Sequence, residues 1–316
     1  MILAGIDEAG FGPVLGPFTL GCVAVRVPAE GEELPDVWSL LKSIVSAKRD
    51  RTGRRLHVND SKKVYTPSLG LRELEKAVLA FRPADDFDGF LAAVDPAAPE
   101  RSQLVPWYAR PEDEAHPHAA DPAGIGIAAN ALRHACDAAG VGPFDVRGRV
   151  VFEPEYNRLC DALRNKSAVA QTILAGLIYG LLQRHAGDGL TIVVDRQGGR
   201  SHYGDFLRQM FEAWDLEVVR EGDSRADYRL TRGGDAVGII FAEKAETLAL
   251  PTALASMTAK YLRERLMGRF NAWWHSHDAS IKPTAGYWTD GHRWLEETQA
   301  LRQRLGIADA TLVRRR

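Results

Sequence analysis

The chain has 316 residues, 45% of them hydrophobic and 26% charged, with a formal net charge of −2. This composition is ordinary for a globular protein and excludes a disordered chain or one whose bulk charge grips nucleic acid, so any such grip must be local. Its length suits one large domain or two small ones.

Residues 1–6 and 18–27 read as an antiparallel strand pair around a glycine-rich turn. Residues 36–47 place Val37, Leu40, Leu41, Ile44 and Val45 at helical spacing. The most basic run follows, Lys48-Arg49-Asp50-Arg51-Thr52-Gly53-Arg54-Arg55, and residues 67–81 repeat the amphipathic pattern. Residues 82–124 hold many prolines, several acids and little periodicity, which predicts an irregular insertion or flap. Helical patterns recur over 125–138, 165–184, 204–214 and 247–267. Val150–Phe152 reads as a short strand, and Leu190–Val194 as a buried strand stopping at Asp195-Arg196-Gln197-Gly198-Gly199. Segments 216–219 and 237–241 read as edge strands. The C-terminal part holds Trp273, Trp274, Tyr287, Trp288 and Trp294, a helix to about Leu305, and the tail Arg314-Arg315-Arg316. Strands alternating with helices predict an α/β class, and the opening hairpin predicts a mixed sheet.

Three cysteines, Cys22, Cys136 and Cys160, show no C-x-x-C spacing, so neither a disulfide framework nor a zinc ribbon is expected, and a cytoplasmic location is the simplest. No basic-then-apolar leader and no run of about eighteen apolar residues occurs, so neither secretion nor a membrane span is expected.

The richest stretch is Gly5-Ile-Asp-Glu-Ala-Gly-Phe-Gly-Pro-Val-Leu-Gly-Pro, residues 5–17. An apolar strand ends there in two adjacent carboxylates, Asp7 and Glu8, where a soluble hairpin needs only Asn-Gly or Asp-Gly. A dinucleotide fingerprint fails because the glycines space as G-x-G-x-x-x-G and a strand, not a helix, follows. A second strand ends in an acid, Val194 to Asp195, and Glu243 and Glu246 lie where segment 237–241 gives way to the long helix. Parallel strands would bring Asp7 and Asp195 to one sheet edge, where α/β sheets place their chemistry. Carboxylates converging there repel one another unless a cation sits among them, and Mg²⁺ suits carboxylate, water and phosphate ligands. Two such ions about 4 Å apart can activate a water and stabilise the leaving oxygen of a phosphodiester.

These residues resemble the type 2 ribonucleases H, the ribonuclease HII family. Gly5-Ile-Asp-Glu-Ala-Gly-x-Gly-Pro with Gly16-Pro17 resembles the family's opening motif, and Asn59-Asp60-Ser61-Lys62-Lys63 its second. Val193-Val194-Asp195, Lys244-Ala245-Glu246, Ala255-Ser256-Met257-Thr258-Ala259-Lys260 with Arg263-Glu264-Arg265, and Gly286-Tyr287-Trp288-Thr289 with His292 resemble later motifs, in family order. The resemblance implies a ribonuclease H-like α/β fold: a mixed central sheet of about five strands flanked by helices. It implies one catalytic domain over 1–316, with the 82–124 insertion and a helical substrate-binding extension over about 270–316.

It also implies Mg²⁺- or Mn²⁺-dependent endonucleolytic cleavage of the RNA strand of RNA–DNA hybrids, or at ribonucleotides in duplex DNA, leaving 5′-phosphates. Asp7, Glu8, Asp195 and Glu246 become the catalytic and metal-binding acids. Lys62, Lys63 and Lys260 become phosphate contacts; Gly10, Phe11 and Gly12 the loop that reads the ribose 2′-OH; and Tyr287 a platform under a sugar. The partner is nucleic acid, the membrane is not involved, and the chain is expected to act as a monomer. Three positions depart from the family: Phe11 stands where a basic residue is usual, Arg196 where Gly is common, and Glu246 where Asp is usual. They motivate two alternatives: a nuclease for branched or single-stranded DNA, and a nucleic-acid-binding module without turnover.

Among other features, the arginines of 49–55 are candidates for phosphate contact, because they precede Lys62-Lys63. The pairs His116/His118 and His275/His277 lack partners at metal spacing, Asp113 and Glu114 read as a solvated acidic loop, Trp273 and Trp274 as packing residues, and Ser256 as no nucleophile.

Overall fold

The computed structural model describes residues 1–28, 33–197 and 200–315; Gly198, Gly199 and Arg316 therefore lie outside the described residues. In chain order the elements are β1 (Ile2–Ala9), β2 (Phe18–Arg26), α1 (Val37–Leu40), β3 (Val45–Ser46), β4 (Leu56–His57), α2 (Ser61–Val64), α3 (Arg72–Phe81), α4 (Phe87–Val94), α5 (Ala98–Ser102), α6 (Pro122–Ala139), β5 (Asp145–Val151), α7 (Glu153–Leu163) and α8 (Lys166–His185). Then come β6 (Leu190–Asp195), α9 (Gly204–Met210), β7 (Asp215–Arg220), β8 (Arg225–Arg232), β9 (Asp235–Ala242), α10 (Leu250–His277), α11 (Trp288–Glu297), α12 (Gln299–Arg304) and α13 (Asp309–Leu312).

The central sheet has seven strands in the order β5-β2-β1-β6-β9-β8-β7, two more than expected. Strands β1, β6 and β9 run parallel, while β5, β2 and β1 form an antiparallel triplet and β9, β8 and β7 another. This mixed order is the ribonuclease H-like arrangement that the resemblance implies. The segment 237–241, read as an edge strand, lies inside the sheet because β8 pairs with β9 across the Gly233-Gly234 turn. Both glycines there have positive φ, as a tight hairpin needs. Strand β8 alternates Ala226, Tyr228 and Leu230 inward, a period of two hidden in the sequence by Asp227 and Arg229.

Each sheet face is covered. Leu3, Val23, Val193 and Ile240 face α10, while Ile2, Ala4, Ile6, Ile192 and Val194 face α8. The first half of α10 is buried all round, with Ala253, Ala255, Ser256 and Ala259 small enough for close approach. It lies directly on two strand glycines. A Cβ on Gly5 would stand 2.1 Å from the Thr252 nitrogen, and one on Gly21 2.0 Å from the Ala255 oxygen.

Residues 82–124 are not an irregular flap. Helices α4 and α5 and a 3-10 turn at Pro106–Tyr108 bury Phe87, Phe90, Trp107 and Tyr108 against α10. The buried Glu75 carboxylate anchors the next stretch, accepting from the main-chain N–H groups of His118, Ala119 and Ala120 at 2.6–2.9 Å and pairing with Arg265 at 3.2 Å. Glu114, read as solvated, pairs with Arg265 and Arg269. Trp274 is fully buried among Trp107, Phe270 and Trp294, as its packing reading has it. Among the described residues no helix is long and apolar enough to cross a membrane.

Gly21→Ala would force α10 off β2. We expect a loss of at least the about 1–3 kcal/mol of ordinary overpacking, read as a lower urea midpoint; a wild-type midpoint would contradict direct helix-on-glycine packing.

Candidate active site

Strand alternation places the acids. In β1, residues 3, 5 and 7 share the α10 face; in β6, residues 193 and 195 do. Since Ile6 pairs in parallel with Val194, Asp7 and Asp195 emerge side by side on one face at one strand end. Glu8 points to the other face, where the Gln197 amide donates to it. Past the end of β9 a left-handed Lys244 turns the chain into a 3-10 turn, Ala245–Thr247, which buries Glu246 beside the same edge. The Asp195 carboxylate accepts from the Ala245 N–H at 3.3 Å, tying that turn to β6. Glu243, the other candidate there, is exposed and pairs with Arg196 at 3.1 Å, which directs Arg196 toward it.

The electrostatics are strained. Burial, then the nearby Asp195, raises the Asp7 carboxyl well above its usual range. Burial likewise raises Glu8 to about 7 and Asp195 to about 6, with Glu246 and Asp60 adding to the latter. Lys62 opposes both shifts from close by. Lys63 donates to Glu246 at 3.2 Å and to the Asn59 side chain at 3.2 Å. The structure therefore sets Lys62 and Lys63 against the acids as counter-charges. The donor set, hard carboxylate oxygens with too little positive charge beside them, fits a hard divalent cation. Among the described residues no three Asp, Glu, His or Cys side chains already form a closed cage. The His116/His118 and His275/His277 pairs form none either.

The contact between two serines, Ser61 and Ser256, is not visible in the sequence. The Ser256 hydroxyl lies close enough to Asp7 to favour its charged form, donates to the Ser61 hydroxyl at 3.2 Å and accepts from the Ser61 N–H at 3.3 Å. It joins the first acid to the Asp60-Ser61-Lys62-Lys63 turn.

Further along α10, Lys260 pairs with Glu264 at 2.6 Å, lies over the Tyr65 ring at 4.8 Å, and is largely covered. One turn on, the buried Arg263 guanidinium donates to the carbonyls of Pro17, Leu15 and Ala285 at 2.5–3.1 Å. It fastens the glycine loop to the segment before Tyr287. Gly286 completes that joint: its carbonyl accepts from the Val14 N–H at 2.8 Å, and a Cβ on it would lie 2.4 Å from the Leu15 oxygen. Tyr287 is thus held beside the loop, half-exposed, with Arg263 5.9 Å from its ring.

The C-terminal tail is also more than a charge run. Arg314 is buried and donates to the carbonyls of Gly10 and Phe11, with its guanidinium 4.1 Å above the Tyr156 ring. Gly10 has φ +82°, a conformation that favours glycine. Phe11 turns inward, its ring 5.9 Å from Phe18 with the Lys166 ammonium 4.7 Å away. Gly12 differs: a Cβ there would meet no protein atom within 4 Å.

No protein-family model matches this sequence, and no curated protein matches it. Solved structures do. The PCNA:RNase HII complex from Archaeoglobus fulgidus aligns at 14% identity and TM-score 0.43, over 100% of this chain and 95% of that one. Bst-RNase HIII in complex with Mn²⁺ aligns at 14% and 0.49, over 99% and 66%. Ribonuclease H2 from Pyrococcus horikoshii OT3 aligns at 16% and 0.47, over 99% and 92%.

Divalent cations bind deprotonated carboxylates, so their affinity rises with pH through the Asp195 and Glu8 values of about 6 and 7. A raised carboxyl pKa weakens the metal-free fold as pH rises through it, and bound cation offsets this. Mn²⁺ is therefore expected to raise the melting temperature more at pH 8 than at pH 6, with the difference lost in Asp7→Asn. Equal increments at both pH values would contradict this placement of the cation. By its strand order the chain is an α/β protein with a mixed sheet, and it gathers acids at the ends of β1, β6 and β9.

Proposed function

We propose that the chain is a divalent-metal-dependent endonuclease acting on the RNA strand of RNA–DNA hybrids or at ribonucleotides in duplex DNA. The observation that carries this is the meeting of Asp7 and Asp195 on one face of adjacent parallel strands, with Glu8 and Glu246 beside them. Asp7, Glu8, Asp195 and Glu246 would hold Mg²⁺ or Mn²⁺. When bound, the ions would supply activation of a water and neutralisation of charge on the phosphodiester. Ser256 orients Asp7, Gln197 orients Glu8, and the Ala245 N–H orients Asp195. Lys62 and Lys63 would exchange their carboxylate partners for substrate phosphates, and Tyr287 would face the sugar. Lys260 supports Tyr65 and Glu264 at the rim.

The glycine loop would read the 2′-OH with main-chain groups. Arg263 and Arg314 hold its carbonyls, so the backbone is positioned before substrate arrives. Phe11 spends its side chain on packing, which leaves readout to the backbone. The open space beside Gly12 is space that a ribose would fill. In this reading 1–316 acts as one catalytic domain.

Cleavage of three end-labelled duplexes, with a single ribonucleotide, as a full RNA–DNA hybrid and as plain DNA, tests the proposal in Mg²⁺ and in Mn²⁺. The first two are expected to be cut and the third spared. Asp7→Asn should lower turnover at least about 100-fold, the loss of several kcal/mol of charge stabilisation. Cutting of plain DNA with no ribose requirement would move the substrate to DNA. The Lys63–Glu246 pair favours a second reading, a binding module without turnover, which predicts a bound hybrid and no product with either metal. Gly12→Ala should keep the wild-type melting temperature while raising KM for the single-ribonucleotide duplex. An unchanged KM would remove Gly12 from the ribose contact.

A further inference from the structure

A groove of about 400 Å³ starts at Glu246 and Lys63 and runs away from the acids between α1 and the β3–β4 pair. Trp38, Lys42, Arg55 and Asn59 line it. Its volume is that of a ligand-sized site. Part of its charge is unspent. Lys42 is exposed and its ammonium has no partner among the described residues. The Arg55 guanidinium makes no hydrogen bond among the described residues, and Asp50, 3.8 Å away, already accepts from the Thr52 hydroxyl and from main-chain N–H groups. Trp38 is half-buried, with its body anchored on the core and its remaining surface toward the groove.

The groove is also mechanically joined to the acids. Asn59 donates to the Ala47 carbonyl at 2.7 Å, at the root of the basic 48–55 loop, and its side-chain oxygen receives both the Asp60 N–H and Lys63. The same asparagine thus fixes the groove wall and the lysine at Glu246.

We propose that this groove is a strand-tracking subsite: Lys42 and Arg55 bind the phosphate of a nucleotide flanking the scissile bond, and Trp38 carries its sugar or base. The proposal rests on the nuclease reading above. A flexible ammonium, a forked guanidinium and an aromatic face in one trough are what a polyanionic strand with π-faced bases requires. The path also gives a locally basic track to a chain whose net charge is −2.

Binding is measured in EDTA, where no cleavage intrudes, by fluorescence anisotropy on a labelled DNA duplex centred on one ribonucleotide. Two further duplexes are truncated close to the ribonucleotide, one on each side. Lys42→Glu and Arg55→Glu should each raise Kd about tenfold and reduce the slope of log Kd against log salt by about 1, as loss of one phosphate contact does. Trp38→Leu should raise Kd with the slope unchanged. Truncation on the groove side should weaken wild-type binding and leave the charge-reversal variants little further affected; truncation on the other side should act equally on all. Arg133→Glu, on the exposed face of α6, controls for net charge, and Lys42→Gln with Arg55→Gln repeats the test without reversal. If the variants match wild type, or lose affinity equally on every duplex, the subsite is overturned while wild-type cleavage keeps the nuclease reading. If wild type binds none of the duplexes and cuts none with Mg²⁺ or Mn²⁺, both readings fall together.

Discussion

The site depends on main-chain contact between helix α10 and the glycines of strands β1 and β2. With Gly5 and Gly21 lacking side chains, the helix lies on the sheet at backbone distance. Its next turns then run along the strand end that carries the acids. Ser256 reaches Asp7, Lys260 reaches Tyr65, and Arg263 reaches the carbonyls of the glycine loop. The spacing of these three, four and three residues apart, is the spacing of one helix face. One close approach thus sets the position of the first acid, the counter-charges beside it and the loop opposite.

The loop is the second consequence. Residues 10–17 contribute little apolar side chain of their own at Gly10, Gly12 and Gly16, so their shape comes from outside. Arg263 from α10, Arg314 from the C-terminal tail, Gly286 before α11 and the Glu153 carboxylate, which accepts from the Gly16 N–H at 3.1 Å, hold it from four directions. Buried arginines spent on carbonyls are costly to desolvate, and burial lowers the Arg263 pKa. They fasten the loop's backbone at several carbonyls. A backbone held in this way suits the main-chain readout of a ribose hydroxyl proposed for the loop.

Much of this was legible in the sequence, for identifiable reasons. Asp7 and Asp195 ended apolar strands, and parallel pairing was enough to bring them together. The packing role of Trp274 followed from the size of its apolar ring, although the helix that carries it runs on past residue 267, where the helical pattern was read to end. Other features needed the third dimension. Arg314 read only as part of a C-terminal tail because nothing local shows that Tyr156 and two loop carbonyls surround it. Ser256 read as a helix-packing or substrate-contact serine because its neighbours in the fold, Ser61 and Asp7, are distant in sequence. Residues 82–124 read as irregular because their order comes from Glu75, Arg265 and Arg269 in other elements, and ion pairs leave no periodic trace. Strand β8 was hidden by charges on its outward positions, and β9 was taken for an edge as a result.

In the proposed function Asp7 and Asp195 are ligands of a shared divalent cation at the strand ends. The most direct measurement is a Mn²⁺-soaked crystal of the full chain, with anomalous scattering recorded at the manganese edge. An anomalous peak within coordination distance of both carboxylates is expected, with Lys63 drawn away from Glu246. Strong peaks elsewhere and none between Asp7 and Asp195 would contradict it.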